Sequence, residues 1–261
     1  MGNMKIFSST RVDGPMSSNK AFYENKMTNE EIIKDLRKRR IRLGKKVGFD
    51  GTKMIVPHQN LSLHKEGYYE DVTERVIDLL FVNPSYDLWN LNIPCDIILI
   101  NSNLKGVALS YPVADCPVVI LKTDDVIALS HSSAVCIDRQ LPIQIVEAIK
   151  SVSNDKIKAY IGPCAGDSYI YSEYPTWAKD DSWKYFITET KEDYKIDLKG
   201  AIVSQLKSMG IEDIRVSPID TIVDERFYSN YAYNHGNDTK NGRFLVGAYF
   251  QKDKVKSKTR W

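Results

Sequence analysis

The sequence predicts an α+β fold, and three observations carry the prediction. Short apolar runs of strand length outnumber the helical stretches, several are joined by hairpin-type turns, and three or four amphipathic helices are interspersed. No linker-like segment interrupts them, so residues 1–261 read as a single domain.

Taken in order, residues 5–11 read as a first strand and 13–18 as a Gly/Pro/Ser loop. Thr28-Asn-Glu-Glu31 is a capping box that opens a helix to about Leu43-Gly44. Ile32, Ile33, Leu36 and Leu43 form its apolar stripe, and Arg40 falls on the same stripe, either snorkelling at its edge or aimed into a pocket. Strands are expected at Met54–Pro57, ending at His58, and at Val72–Val76, Asp96–Ile100 and Gly106–Ser110. Leu141–Val152 reads as a helix with Pro142 in its harmless first turn. Ile157–Ile161 is a strand running into Gly162-Pro163-Cys164, and Asp197 caps a helix over Leu198–Met209 that Gly210 stops. Ile211–Ser217 and Phe244–Phe250 complete the strands, and 252–261 is a charged, frayed tail.

With 43% hydrophobic residues the chain can bury a large core. A formal net charge of +2 demands neither nucleic acid nor an anionic membrane as partner. The basic run Arg37–Lys46 lacks interleaved aromatics and reads as a solvated helix face. No apolar run approaches the ~18–20 residues of a membrane span and no signal peptide is evident, so a cytoplasmic protein is expected. The four cysteines are widely spaced without CxxC, which suits free thiols and not disulfides.

The chemistry concentrates on one hairpin. Ala114-Asp115-Cys116-Pro117 begins an apolar strand, a polar turn follows, and the next strand ends at Ser130-His131. With Thr123-Asp124 as the two-residue loop, Cys116 lies directly opposite His131, with Cβ atoms about 4.5–5.5 Å apart. The pair can share a metal ion, share a proton as nucleophile and base, or be an inert core pair. His58, at another strand end, adds a possible third ligand for zinc, and copper suits the same donors. Asp115 faces away from Cys116 along the strand and reads as a loop-bonding carboxylate. His64 and His235 read as solvent-facing.

Together these residues resemble the laccase-domain or YfiH-like family, whose older label is multicopper polyphenol oxidoreductase. Phe7-Ser-Ser-Thr-Arg11 through Ser17 resembles its F-S-T-R-x-G-G-x-S opening, Arg40 its Asn-Arg step, and His58 the histidine of Q-x-H-G, with Gln59 following the histidine. Asp96 matches an aspartate before the hairpin, Ala114-Asp115-Cys116 the A-D-C motif, Ser130-His131 the start of H-A-G-W-R-G, Ile161-Gly-Pro-Cys164 I-G-P-C, and Asn241-Gly-Arg243 T-G-R. The resemblance implies an α/β/β/α layered sandwich with mixed sheets and a metal, usually zinc, on His58, Cys116 and His131. It implies action on purine nucleosides, by phosphorolysis of adenosine, inosine or methylthioadenosine, or by adenosine deamination. Cys116 and His131 are then the catalytic residues, and Arg40 and Arg243 the cations placed near the substrate. Multicopper oxidation of phenols is the poorer reading, because it needs a histidine-rich cluster and the chain has four histidines.

The chain also departs from the pattern. His131-Ser-Ser-Ala-Val-Cys136 lacks the tryptophan and arginine of H-A-G-W-R-G, and Phe227–Gly236 lacks both arginines of F-F-S-Y-R-R-D-G. Ser168–Tyr171 replaces C-C-Y-E and Asp220-Thr221 replaces C-T. Two further readings follow: a Cys-His hydrolase using Cys116 and His131, and a non-catalytic member that binds a ligand.

Overall fold

Strands that are apolar on both faces must be covered on both, and this requirement sets the layer order. A computed structural model describes residues 3–23, 27–58 and 69–252; His64 and the tail from 253 lie outside the described residues. One sheet has the order β1 (Met4–Ser8), β13 (Phe244–Phe250), β5 (Ala108–Val113), β2 (Met54–Ile55), antiparallel except at β2. A second runs β12 (Ile214–Val216), β8 (Lys158–Ile161), β6 (Val118–Lys122), β7 (Val126–His131), β4 (Ile97–Asn101), β3 (Glu70–Asp71). Its edge pairs are parallel and its inner pairs antiparallel. A small third sheet joins β10 (Ile187–Glu189), β11 (Tyr194–Ile196) and β9 (Ile170–Tyr171).

Side-chain alternation along the strands separates three apolar layers. Helix α1 (Asn29–Val47) lays Leu36 and Leu43 on Phe7, Met54, Leu245 and Tyr249, the outer face of the first sheet. Between the sheets, Leu109, Tyr111, Phe244 and Val246 meet Ile98, Ile100, Ile120 and Leu129. On the far side Ile97, Leu99, Val119 and Leu121 pack under Ile145 and Ile149 of α4 (Leu141–Val152) and Ile202 and Leu206 of α5 (Leu198–Ser208). Burial of each such side chain stabilises by about 1.5–3 kcal/mol. The mixed-sheet α/β/β/α architecture is therefore as expected. No described helix is long and apolar enough to cross a membrane.

Two local expectations are corrected. Val72–Val76 is not a strand: Val72 caps helix α2 (Thr73–Val82), whose buried Val72 and Val76 lie one turn apart. The Asp71 carboxylate starts that helix by accepting from the Thr73 N–H at 3.0 Å and its hydroxyl at 2.6 Å. Helix α1, opened by the Thr28–Glu31 capping box, runs through Gly44 to Val47. Its stop is Gly48, left-handed at φ 103°. Gly44 is needed for another reason: a Cβ there would lie 2.5 Å from the Gly51 nitrogen.

These two glycines predict unequal costs. Gly48→Ala should lower unfolding free energy by about 1 kcal/mol through its left-handed backbone. Gly44→Ala should cost about 1–3 kcal/mol, because backbone must move. Urea titration of both variants checks the order; a harmless Gly44→Ala would contradict the close approach.

Candidate metal centre and adjoining cavity

The turn of the β6–β7 hairpin decides which residues meet. Its two-residue loop is Asp124-Asp125, one position beyond the expected one. The Thr123 N–H donates to Val126 O at 2.9 Å, and the Thr123 hydroxyl oxygen accepts from the Val126 N–H at 3.0 Å while donating to Asp125 Oδ1 at 2.8 Å. Val118, not Cys116, therefore faces His131 across the ladder. Cys116 belongs to the segment Ala114–Pro117 that carries the chain from β5 in one sheet to β6 in the other. This crossover is tied on both sides: Ala165 N–H donates to Asp115 O at 2.9 Å and Ser132 N–H to Pro117 O at 2.8 Å.

His131, at the end of β7, is the centre of the site. The thiols of Cys116 and Cys136 both adjoin its imidazole, and its Nδ1 stands 3.7 Å from Asp96 Oδ1. Burial alone would lower the His131 pKa, but the neighbouring Cys116, Asp96 and Cys136 hold it well above the usual histidine value. Among the described residues, one group of three donors has ligand atoms all within 4.8 Å of one another, and it is Asp96, His131 and Cys136. Cys136 comes from α3 (Ala134–Asp138), whose cap Ser133 accepts from the Cys136 N–H and donates to its sulfur at 3.1 Å. The His131 Nδ1 is buried without a hydrogen-bond partner. An orphaned imidazole nitrogen among sulfur and carboxylate donors is the chemistry a transition metal satisfies, so these residues fit a metal ion.

The expected ligand His58 is placed otherwise. It is exposed, its N–H donates to Ile93 O at 2.8 Å, and it is not a member of the convergent group. Arg40 is 2% exposed, pairs with Asp87 at 3.0 Å and lies over the Trp89 ring at 4.1 Å. That clamp joins α1 to the 3-10 turn Leu88–Asn90, and Arg40 is absent from the wall of the cavity described below. Arg243 lies near Cys116 and Asp115, though it too is absent from the cavity wall. Its guanidinium pKa is lowered by burial, against which the nearby Cys116 and Asp115 act, and its Nη2 donates to Asn230 Oδ1 at 3.3 Å.

Cys116 and Asp115 open onto a cavity of about 620 Å³. Its wall includes Tyr169 and Tyr171, together with Asn230, Tyr231 and His235 around helix α6 (Asn230–Asn234). The Tyr169 and Tyr171 hydroxyls share a hydrogen bond at 2.7 Å, the Tyr169 and Tyr231 rings meet edge to face at 5.6 Å, and His235 stacks on Tyr231 at 3.9 Å. His235, expected to be solvent-facing, is exposed and lines this cavity. Arg11 holds the same loop through Phe227 O and the Asp238 carboxylate. Neither Cys136 nor the tyrosine wall was expected; the density of tyrosines in Tyr228–Tyr233 was the available signal.

Asp115 knots the crossover to the cavity wall, as its loop-bonding reading anticipated. Its carboxylate accepts from the Thr221 hydroxyl at 2.8 Å, the Ser229 hydroxyl at 3.1 Å and the Tyr231 N–H at 2.8 Å. Burial raises its pKa above the usual carboxylate value, opposed by those donors and by Arg243. Cys164, buried behind it, is pushed up to about 12 by burial, which leaves it a thiol.

Fold and site together define a two-sheet layered protein with a metal-compatible thiol–imidazole–carboxylate centre beside a cavity. Residues 6–250 match the family model described as multi-copper polyphenol oxidoreductase laccase, and the chain belongs to that family. It is similar to a Campylobacter jejuni protein named purine nucleoside phosphorylase Cj1217c, 31% identical over 173 residues, 64% of this chain and 71% of the other. Its fold is that of the hypothetical protein YfiH from Bacillus licheniformis (TM-score 0.69, 17% identity, 95% and 93% of the two chains). It is also that of YlmD from Geobacillus stearothermophilus (TM-score 0.67, 18% identity, 97% and 92%).

Removal of the Asp115 acceptor leaves two hydroxyls and one N–H unpaired at a buried position. Asp115→Ala should cost about 2–4 kcal/mol of stability by urea unfolding, and Asp115→Asn less. A neutral Asp115→Ala would show that the knot does not hold the crossover.

Proposed function

We propose that the protein is a metal-dependent enzyme acting on a purine nucleoside, with zinc as the ion. The observation that carries this reading is a cavity walled by tyrosine rings, opening on Cys116 beside the His131 centre. It is supported by the relative named purine nucleoside phosphorylase. Aromatic walls suit a purine base, which presents a stacking face and polar edges. His131 and Cys116 would hold the ion, Cys116 from the cavity wall. When bound, such an ion supplies Lewis-acid polarisation of a substrate atom in reach.

This chain's own groups divide the remaining work. Arg243, with its charge near Cys116 and Asp115, is the cation available to an anionic co-substrate such as phosphate. Its Nη2 donates to Asn230, a residue of the cavity wall. The tyrosines exclude water from the base and orient it, and Asp115 holds the wall that carries Tyr231. Phosphorolysis of adenosine, inosine or methylthioadenosine is the leading reaction, and adenosine deamination is the alternative use of the same base pocket. Phenol oxidation through a copper cluster is disfavoured, because the convergent donor group contains one histidine.

A second reading has its own observation. Cys116, His131 and Asp96 stand in the order nucleophile, base, orienting carboxylate, with the carboxylate 3.7 Å from His131 Nδ1. A thiol hydrolase would use these three groups in those roles, with the Asp96–His131 contact shortening to a hydrogen bond.

A panel of purine nucleosides, with and without phosphate, on metal-analysed protein separates these readings. We expect turnover that chelation abolishes and Zn²⁺ restores, with His131→Ala lowering kcat/KM by more than about 100-fold, equivalent to ~2.7 kcal/mol. Metal-free protein whose activity survives chelation but not thiol alkylation would replace the metal reading by the hydrolase. Turnover of no nucleoside in any condition would overturn the purine assignment.

A further inference from the structure

We propose that Cys136 is a ligand of the metal ion in this chain, taking the place that the family resemblance gives to His58. The inference rests on the metal reading of the His131 centre and names the donors that complete it.

Four observations point the same way. Cys136, Asp96 and His131 are 1%, 3% and 5% exposed, and their ligand atoms all lie within 4.8 Å of one another. Tetrahedral zinc with Zn–S near 2.3 Å and Zn–N near 2.0 Å needs donors about 3.3–3.8 Å apart, so small side-chain rotations close the set. The His131 Nδ1 is buried, makes no hydrogen bond and stands 3.7 Å from Asp96 Oδ1, at the point where the cluster converges. The Cys136 thiol is oriented: it accepts a hydrogen bond from the Ser133 hydroxyl at 3.1 Å, and the Ser133 oxygen also caps the helix that carries it. A sulfur held in this way is aimed, as a metal ligand must be.

His58 lacks each of these features. It is exposed, it is held by its backbone N–H, and it stands outside the convergent group. The sequence gives the exchange a reason. In the family's H-A-G-W-R-G pattern the sixth position is glycine, whereas here it is Cys136. A Cys136 thiolate in place of an imidazole makes the donor set softer than one thiolate and two imidazoles, and favours Zn²⁺ or Cu(I) over harder divalent ions. The added negative charge is met by Arg243, whose guanidinium lies near Cys116 and Asp115.

Cobalt substitution tests this without any assay of turnover, because sulfur-to-Co²⁺ charge-transfer absorption reports thiolate ligation. Co²⁺ is titrated into apoprotein, and Zn²⁺ affinity is measured by chelator competition, for the wild type and for Cys136→Ser, Cys116→Ser, the double variant and His58→Ala. We expect two-thiolate absorption in the wild type, about half of it in each single cysteine variant, and none in the double variant. Zn²⁺ affinity should fall by at least 10-fold in Cys136→Ser and stay unchanged in His58→Ala. Should Cys136→Ser fail to fold, Cys116→Ser still decides: a residual band in that variant comes from Cys136, and its complete loss overturns the proposal. Full wild-type affinity in Cys136→Ser with loss in His58→Ala also overturns it, while leaving the metal reading intact. A wild type that binds neither Co²⁺ nor Zn²⁺ sinks both.

Discussion

The covering of both faces of the six-stranded sheet is the constraint on which the rest depends. Alternate residues of β4 point to opposite sides, Ile97 and Leu99 toward the helices and Ile98 and Ile100 toward the other sheet, and all four are buried. No position inside such a strand can carry a charged or reactive group without a large desolvation cost. Polar chemistry is thereby displaced to the strand ends. His131 closes β7, Asp96 precedes β4, and Cys116 stands in the crossover before β6. The site lies where the apolar layers stop and polar side chains from several elements can meet.

The same constraint explains which parts of the fold were legible in the sequence. Continuous apolar runs announce buried strands, so the hairpin, β13 and the sheet-rich class could be read directly. Helix α4 was legible to the residue, since its apolar spacing, its early Pro142 and its length agree. Register was not legible. When both faces are apolar, sliding one strand against the other keeps every side chain in an apolar setting, so the pattern does not choose. The choice falls to the turn, where the Thr123 side chain captures both Val126 N–H and the Asp125 carboxylate. Val72–Val76 failed for a related reason: five apolar and polar residues fit a strand or a helical turn, and the Asp71 cap decides for the helix.

The site was legible in the same uneven way. Cys116 and His131 could be singled out because a thiol and an imidazole at the ends of apolar strands have few other reasons to be there. Cys136 was not singled out, although it follows His131 by five residues, because the family pattern has glycine there and its approach to His131 depends on how α3 begins after β7. Arg40 shows the opposite failure. Its place on the buried stripe of α1 was correct, but burial of a guanidinium calls for a carboxylate and a ring face, and Asp87 and Trp89 supply both within the scaffold. A buried cation is evidence of a partner, and the partner can be structural.

The two sides of the centre are therefore under different physical control. The donors around His131 hang from strand ends and from a capped helical turn, each with its backbone tied into the sheet or its neighbours. The cavity wall is made from connecting segments, Tyr169–Ser172 and the stretch around α6, that reach the scaffold through side-chain links such as Asp115 to Tyr231 and Arg11 to Asp238. Exchanges in the wall leave the apolar layers untouched, so side chains there can change without loss of the fold. Exchanges at the centre must keep a converging donor set. The chain follows this division: its wall departs from the family pattern at several positions, whereas Asp115, Cys116 and His131 stand unchanged and the one newcomer beside them, Cys136, is itself a metal-compatible donor.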